Sequence, residues 1–286
     1  MLERAIASVL RQSYGSFELI VVDDGSVAPA RLPDDGAERS RLIRNPRSLG
    51  AARARNRGIA AAAGKLLCFL DDDDELHPDF LARTRDAFQS CPSASFSWCD
   101  VRFMDYADGK DSTGRIHTFE SGPPAQLILD ALSIGTGFGL TVRAECFAEI
   151  GDFDTAFRFT EDTEFLFRLL VAGYRPVVVK GALVTIHNHQ GPRMTDLANA
   201  HARALECETL LASYRGFVSA HEEVGVRLMN HIVALRGGTV SGSGAYLWAR
   251  DAAEAEERLE AEDRLIAQSS MAAKSSATSN PPNRSI

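Results

Sequence analysis

The sequence lacks a continuous apolar run of about 18 residues, so we expect no segment of it to cross a membrane as a helix. Its five cysteines are odd in number and lack the paired spacing of a zinc knuckle, which fits a reducing compartment better than a disulfide framework. Bases are fewer than acids, 31 against 39, and the net charge of −8 argues against a nucleic-acid partner. We therefore expect a cytoplasmic globular protein, and leave open a peripheral association with the inner face of a membrane.

Four consecutive aspartates, Asp71 to Asp74, directly follow the apolar segment 65–70. Like charges repel one another, and their desolvation is costly unless a cation or a well-solvated loop receives them. A position just past the carboxyl end of a buried strand is also where open α/β sheets bind ligands. The run therefore predicts a divalent-cation site directed at phosphate, with a solvated acidic loop as the alternative.

Helix and strand patterns alternate along the first half of the chain. Helical apolar spacing or alanine-rich composition predicts helices over 2–13, 51–63 and 78–88. Short apolar runs predict strands at 17–22, 65–70 and, more weakly, 41–44. This alternation predicts an α/β fold with a doubly wound, mostly parallel sheet.

The second half is mixed and then becomes helical. Its patterns predict strands at 96–104 and 176–179, and helices near 124–132 and over 163–172. From about residue 196 onward they predict helices over 197–214, 217–235 and 245–267. Residues 268–286 are rich in Ser, Ala, Asn and Pro, and we expect this tail to be disordered.

Five segments in a fixed order resemble one family, the inverting family-2 glycosyltransferases. These segments are Phe17–Ser26, Gly50–Ile59, Gly64–Pro78, Gly151–Asp154 and Glu161–Gly173. Each motif alone is weak, but their order and spacing together are specific. The resemblance covers roughly residues 1–195 and implies a GT-A nucleotide-sugar transferase domain, followed by a helical C-terminal extension (196–267) and the tail (268–286).

The resemblance implies a reaction and its partners. The donor would be a nucleotide diphosphate sugar, most commonly a UDP-sugar, and Mn²⁺ or Mg²⁺ would assist the transfer. The acceptor would be a hydroxyl of a glycan, a lipid-linked glycan or a protein, and the anomeric configuration would be inverted. An acceptor hydroxyl attacking from the opposite face needs a carboxylate to take its proton.

By the same resemblance, five residues bind the donor and its metal. Asp24 matches the carboxylate that recognises the base and ribose, with a strand-end turn as the alternative reading. Arg55 matches an arginine that faces the diphosphate, although Arg53 and Arg57 compete for that part. Asp73 is implied as the direct metal ligand. Asp71 would face the ribose or a metal-bound water and share the metal site. Asp72 would support donor binding.

Asp162 matches the family's catalytic base. The alternative reading is that Asp162 caps the following helix, with Glu164 completing the capping arrangement. His189 is implied as a further metal ligand, with a water-bound loop histidine as the alternative. Trp98, Asp100, Gly137 and Glu161 lie where the family builds its acceptor pocket, although a buried aromatic residue beside a strand is the commoner reading of Trp98.

The chain departs from the family in one respect: the first strand, which normally precedes the helix that starts here at Met1, is absent. A misassigned start, a fragment and a degenerate gene product each explain this departure, and each puts the activity of the sequence in doubt. We therefore keep two alternatives to the transferase, which are a non-catalytic nucleotide-sugar-binding protein and, with less support, an Asp-type phosphatase. An Asp-type phosphatase also needs a lysine and an acidic residue further along the chain, and we cannot place that pair in this sequence.

Overall fold

Two separate sheets form the framework of the protein. In the first, β1 (Leu19–Asp23) and β2 (Ser40–Arg44) pair in parallel. In the second, five strands follow the order β3-β8-β5-β9-β4, and β6 and β7 pair with β5. The bounds of these strands are β3 Leu66–Cys68, β4 Glu75–Leu76, β5 Ala94–Ala107, β6 Lys110–Asp111, β7 Arg115–His117, β8 Thr141–Arg143 and β9 Arg175–Asn188.

The computed structural model describes residues 1–107, 110–111, 114–119, 125–129, 139–188, 194 and 197–237. Its helices are α1 Leu2–Leu10, α2 Ala51–Ala61, α3 Phe80–Ser90, α4 at 125–129, α5 Ala144–Ile150, α6 Glu161–Val171, α7 Ala200–Ser213, α8 Arg215–Ala220 and α9 Glu222–Leu235. The predicted helix over 245–267 and the predicted disordered tail lie outside the described residues. None of the helices within the described ranges has both the length and the apolar character needed to span a bilayer.

The predicted α/β class is confirmed, but the sheets are mixed rather than mostly parallel. Among the described strands, only β1–β2 and β5–β9 pair in parallel. The strands β6 and β7 follow β5 after connections of a few residues, whereas a parallel crossover needs a dozen or more. They therefore return antiparallel to β5.

The long parallel pair β5–β9 lies at the centre of the larger sheet. The predicted strands at 96–104 and 176–179 are parts of these two 14-residue strands. Phe96, Cys99 and Val184 are completely or almost completely buried along this pair. Its register shifts between Cys99 and Asp100, where a bulge interrupts the ladder.

Each sheet ends in a strand with one described partner. Within the described residues, β1 is hydrogen-bonded to β2 alone and β3 to β8 alone. An unpaired edge presents free N–H and C=O groups. The proposed absence of a preceding strand stays a prediction.

The C-terminal helices contact α6 through Tyr214, which follows α7, and Phe217 of α8, while α9 packs against α7 and α8. The ring of Tyr214 stacks on Phe167 at a centroid distance of 5.0 Å, and its hydroxyl donates to Glu164 at 2.6 Å. On α7, Ala204, Cys207 and Leu210 are buried. The helical extension therefore shares a core with the helix that carries Glu161 and Asp162.

Candidate active site

Arg55 connects the two acidic segments that the sequence singles out. Its Nη1 donates to Glu161 at 2.5 Å and its Nη2 to Asp71 at 3.1 Å. Only 14% of the Arg55 side chain is exposed. Burial opposes its charge, but the carboxylates of Asp71, Glu161 and Asp162 outweigh that effect and raise the pKa of Arg55. The guanidinium is thus a fixed positive charge between the acidic turn and the start of α6.

Two contacts fix α2 so that Arg55 faces inward. The Asn56 amide donates to the carbonyl of Phe153 at 2.8 Å and accepts the N–H of the same residue at 2.9 Å. The Phe153 ring packs against Phe69 at 5.2 Å and Phe165 at 4.7 Å. Because Phe69 lies two residues before Asp71, and Phe165 lies on α6, this aromatic cluster brings both acidic segments to α2.

The four aspartates of the acidic turn differ in their surroundings. Asp71 retains 41% of its side-chain surface and faces Arg55, whereas Asp72 is exposed. Desolvation, together with the charges of Asp73 and Asp162, raises the pKa of Asp71, and Arg55 opposes this rise. Asp74 is buried and accepts the His187 N–H at 3.2 Å, so it links the turn to β9. Asp71 and Asp73 thus belong to the charged cluster around Arg55 and Asp162, whereas Asp74 fastens the turn to β9 through a hydrogen bond from a backbone N–H.

Sequence reasoning missed a network that holds this turn from α1. Arg4 donates from Nη2 to the Asp73 carbonyl at 2.9 Å and pairs with Glu75 through Nε at 3.0 Å. The same Glu75 oxygen contacts His187 Nε2 at 2.8 Å. Burial and the nearby Arg4 charge lower the pKa of His187. No local motif predicts this network, because its members come from three distant segments.

Glu161 and Asp162 begin α6 in different environments. Glu161 is buried, and desolvation together with the Asp162 charge raises its pKa to about 7 although Arg55 opposes the shift. Asp162 is only partly buried, and it accepts the Thr163 N–H at 2.6 Å. Glu161 donates no described hydrogen bond to another side chain but accepts one from Arg55. Its predicted place in the acceptor pocket stays a prediction.

The capping alternative for Asp162 does not form as expected. Thr160, not Asp162, occupies the N-cap position, and it makes no side-chain cap bond. Glu164 pairs with Arg168 and accepts the Tyr214 hydroxyl, so it does not complete a capping box. The N–H groups of residues 158–160 are instead accepted by Glu206 on α7, at 2.8, 2.9 and 3.0 Å.

Asp24 holds the loop that leads into α2. Its carboxylate accepts Asn45 Nδ2 at 2.5 Å, Ser48 Oγ at 2.9 Å and two backbone N–H groups, those of Leu49 and Gly50, at 2.8 Å each. Partial burial acts to raise the pKa of Asp24, but these hydrogen bonds outweigh it and lower the pKa. The turn before this loop requires Gly25, which has φ +78° and approaches the backbone of residue 47 too closely for any side chain. The predicted contact between Asp24 and the nucleotide stays a prediction.

Two predicted acceptor-pocket residues are part of the interior. Trp98 is 5% exposed and packs between Phe96 and Phe119 at 5.8 and 5.5 Å. Asp100 is 4% exposed and accepts the Phe119 and Gly181 N–H groups at 2.9 and 2.6 Å. Both side chains are thus enclosed among the described residues, and their assignment to the acceptor pocket stays a prediction. Gly137 and His189 lie outside the described residues.

The acidic cluster offers oxygen ligands but no complete metal cage. Within the described part of the chain, no group of three or more His, Cys, Asp or Glu side chains is arranged to hold a metal ion. Asp71, Asp73, Glu161 and Asp162 nevertheless interact electrostatically, with Arg55 as the cation between them. An excess of carboxylates with few protein ligands suits a hard cation that takes its remaining oxygens from phosphate or water.

Comparison with solved structures gives the class. The crystal structure of S. aureus TarS residues 1–349 in complex with UDP-GlcNAc matches with a TM-score of 0.53 and 14% identity, covering 82% of this chain and 76% of that one. At this identity the match concerns the fold alone. The α/β fold of this chain is thus shared with TarS.

Comparison with protein families gives the narrower assignment. The model of glycosyl transferase family 2 matches residues 1–149, and the chain belongs to this family. It is similar to an uncharacterized glycosyltransferase of Haemophilus influenzae, with 27% identity over 203 residues, 68% of this chain and 67% of that protein. It is also 27% identical over 192 residues to the putative colanic acid biosynthesis glycosyl transferase WcaA of Escherichia coli, 66% of this chain and 68% of that protein. The protein is therefore a nucleotide-sugar transferase, and the phosphatase alternative is set aside.

Proposed function

We propose that this protein transfers a sugar from a UDP-sugar to a glycan hydroxyl with inversion at the anomeric carbon. The observation that carries the proposal is the bridge made by Arg55, which brings Asp71 of the acidic turn and Glu161 of α6 to one guanidinium. The donor's diphosphate and the acceptor's hydroxyl must meet at one place, and this bridge joins the two segments proposed to bind them.

Asp162 is the proposed catalytic base. Glu161 is held by Arg55 and is 6% exposed, whereas Asp162 beside it is only partly buried. A general base needs direct access to the proton that it removes. Asp162 therefore accepts the hydroxyl proton, while Glu161 keeps Arg55 in place.

A divalent cation, Mn²⁺ or Mg²⁺, is proposed at the acidic turn, with Asp73 as the direct ligand and Asp71 beside it. Carboxylate oxygens are the ligands that such hard cations prefer. Burial, together with the like charges of Asp73 and Asp162, raises the pKa of Asp71, and a cation at the turn would offset those two charges. When bound, the cation would stabilise the charge of the diphosphate leaving group.

The proposed donor and acceptor rest on relatives. TarS was crystallised with UDP-GlcNAc, which supports a UDP-sugar as donor. The relative named for colanic acid biosynthesis supports a bacterial glycan as acceptor. We propose a lipid-linked form of such a glycan, which would place the reaction at a membrane surface and require only peripheral association of the enzyme.

The test is the release of UDP from a panel of UDP-sugars with Mn²⁺, in the presence and absence of acceptor glycans. Asp162→Asn is expected to lower the turnover number by about 100-fold or more, since general-base catalysis contributes about 10²–10⁴-fold. Asp86→Asn is the matched control, because Asp86 is 56% exposed on α3 and pairs only with Arg85 in the described contacts. Unchanged turnover in Asp162→Asn would refute its assignment as the base.

A further inference from the structure

Glu206 accepts four hydrogen bonds from the segment immediately before Glu161 and Asp162. Oε1 accepts the Arg158 N–H at 2.8 Å, and Oε2 accepts the N–H groups of Phe159 and Thr160 at 2.9 and 3.0 Å. Oε2 also accepts the Thr160 hydroxyl at 3.0 Å. A single carboxylate thus binds three consecutive residues, and the next two are Glu161 and Asp162.

These contacts hold the segment that leads into α6, whose own N-cap residue makes no side-chain cap bond. The backbone N–H groups at the start of a helix have no partner within the helix, and a side chain at the N-cap usually accepts one of them. Thr160 occupies that position in α6 and makes no side-chain cap bond, and its hydroxyl donates to Glu206. A carboxylate is also favoured near the positive end of a helix, and hydrogen bonds to an ionised acceptor are the stronger kind.

The helix that carries Glu206 is itself fixed in place. Cys207 and Leu210, one and four residues further along α7, are 1% and 0% exposed. At the end of the same helix, Tyr214 stacks on Phe167 of α6 and donates to Glu164. Glu206 therefore acts on residues 158–160 from a rigid support, and the support belongs to the C-terminal helical extension.

We infer that Glu206 is a positioning residue for the Glu161–Asp162 pair. It sets where α6 begins, and so where Asp162 lies relative to Arg55 and Asp71. The inference rests on the proposed function insofar as Asp162 is the base. Misplacement of a catalytic group by about 1 Å costs about 100-fold in rate, so loss of Glu206 is expected to lower turnover while donor binding at the acidic turn persists.

The kinetic test compares Glu206→Ala and Glu206→Gln with Glu208→Ala and Glu208→Gln. Glu208 lies on the same helix with its carboxylate 2.6 Å from Arg236, which makes it a matched control. Glu206→Ala is expected to lower kcat by about 10- to 100-fold with little change in KM for the UDP-sugar. Glu206→Gln keeps an acceptor oxygen and should lose less. Equal kcat in the Glu206 and Glu208 variants, or equal losses in both, would overturn the inference.

Hydrogen exchange supplies a readout that does not depend on activity. In Glu206→Ala the amides of residues 158–160 are expected to exchange faster than in wild type, whereas Glu208→Ala should leave them protected. Unchanged protection in Glu206→Ala overturns the inference, whatever the kinetics show. Faster exchange in an enzyme whose wild type transfers no sugar would support the positioning contact and refute the proposed function, so the two failures are distinguishable.

Discussion

Arg55 and Glu161 form a buried ion pair with a separation of 2.5 Å between Nη1 and Oε1, although 106 residues separate them in the sequence. Their side chains are only 14% and 7% exposed. Such a pair depends on both members, since removal of one leaves an unpaired charge in a poorly solvated place. A substitution that breaks this pair is therefore expected both to disturb the candidate site and to lower the free energy of unfolding.

Arg55→Ala is expected to lower the free energy of unfolding by about 3 kcal/mol, because it leaves the other member of a buried ion pair without its opposite charge. Arg53→Ala, two residues earlier on the exposed side of α2, should change it by less than about 0.5 kcal/mol. Urea titrations of both variants measure the difference. A double variant with Glu161→Gln should recover part of the loss, and additive losses would contradict direct coupling.

The buried Glu161 predicts a specific pH dependence of stability. Its pKa in the folded protein, about 7, lies above the ordinary value of 4.5, so the folded state holds this proton more tightly than the unfolded state. The contribution of Glu161 is therefore most favourable below pH 4.5 and falls as the pH rises to about 7, by about 3 kcal/mol at most. Unfolding free energies measured from pH 4.5 to 8 should show this decline in wild type and lack it in Glu161→Gln. Parallel curves for the two proteins would contradict the raised pKa.

Asp73→Asn is expected to weaken binding of UDP with Mn²⁺ by about 10-fold or more, because it removes the proposed direct ligand. Isothermal titration with UDP, in Mn²⁺ and in a chelator, measures the effect. Wild type should lose affinity in the chelator and Asp73→Asn should be indifferent to it. Equal metal dependence in both proteins would exclude Asp73 as the ligand.

Trp98→Phe is expected to lower stability by about 1–3 kcal/mol through lost packing, with the KM for the acceptor unchanged. The indole nitrogen is buried without a hydrogen-bond partner in the described part of the chain, so Phe forfeits packing only. A higher KM for the acceptor with unchanged stability would contradict this expectation and would support a contact between Trp98 and the acceptor.

Tyr214→Phe removes one hydrogen bond to the buried Glu164 and should cost about 1.5–3 kcal/mol, the range for bonds to charged groups. Tyr174→Phe is the control, since Tyr174 also donates to a glutamate, Glu149, but does so at the surface. Thermal unfolding of the two variants gives the comparison, and equal shifts in Tm would show that burial does not matter here.

Local pattern was sufficient for most elements of the fold but not for the contacts between them. The apolar runs before Asp23 and Asp71 predicted β1 and β3 because short buried strands have a local signature. The pattern of β5 did not reveal that the face of Trp98 and Asp100 is covered, since covering it depends on distant segments. Likewise Glu206 follows Asp162 by more than 40 residues, and only the packing of α7 on α6 brings it to the catalytic segment.

The reciprocal contact between Asn56 and Phe153 has a consequence for which substitutions α2 tolerates. By donating to the carbonyl and accepting from the N–H of one residue, the Asn56 side chain imitates a peptide group in an antiparallel ladder. Aspartate has the same length but no donor, and glutamine has both groups on a longer arm. The orientation of α2 thus depends on a pair of hydrogen bonds like those between two strands. Asparagine has both the donor and the acceptor at the length that Asn56 requires.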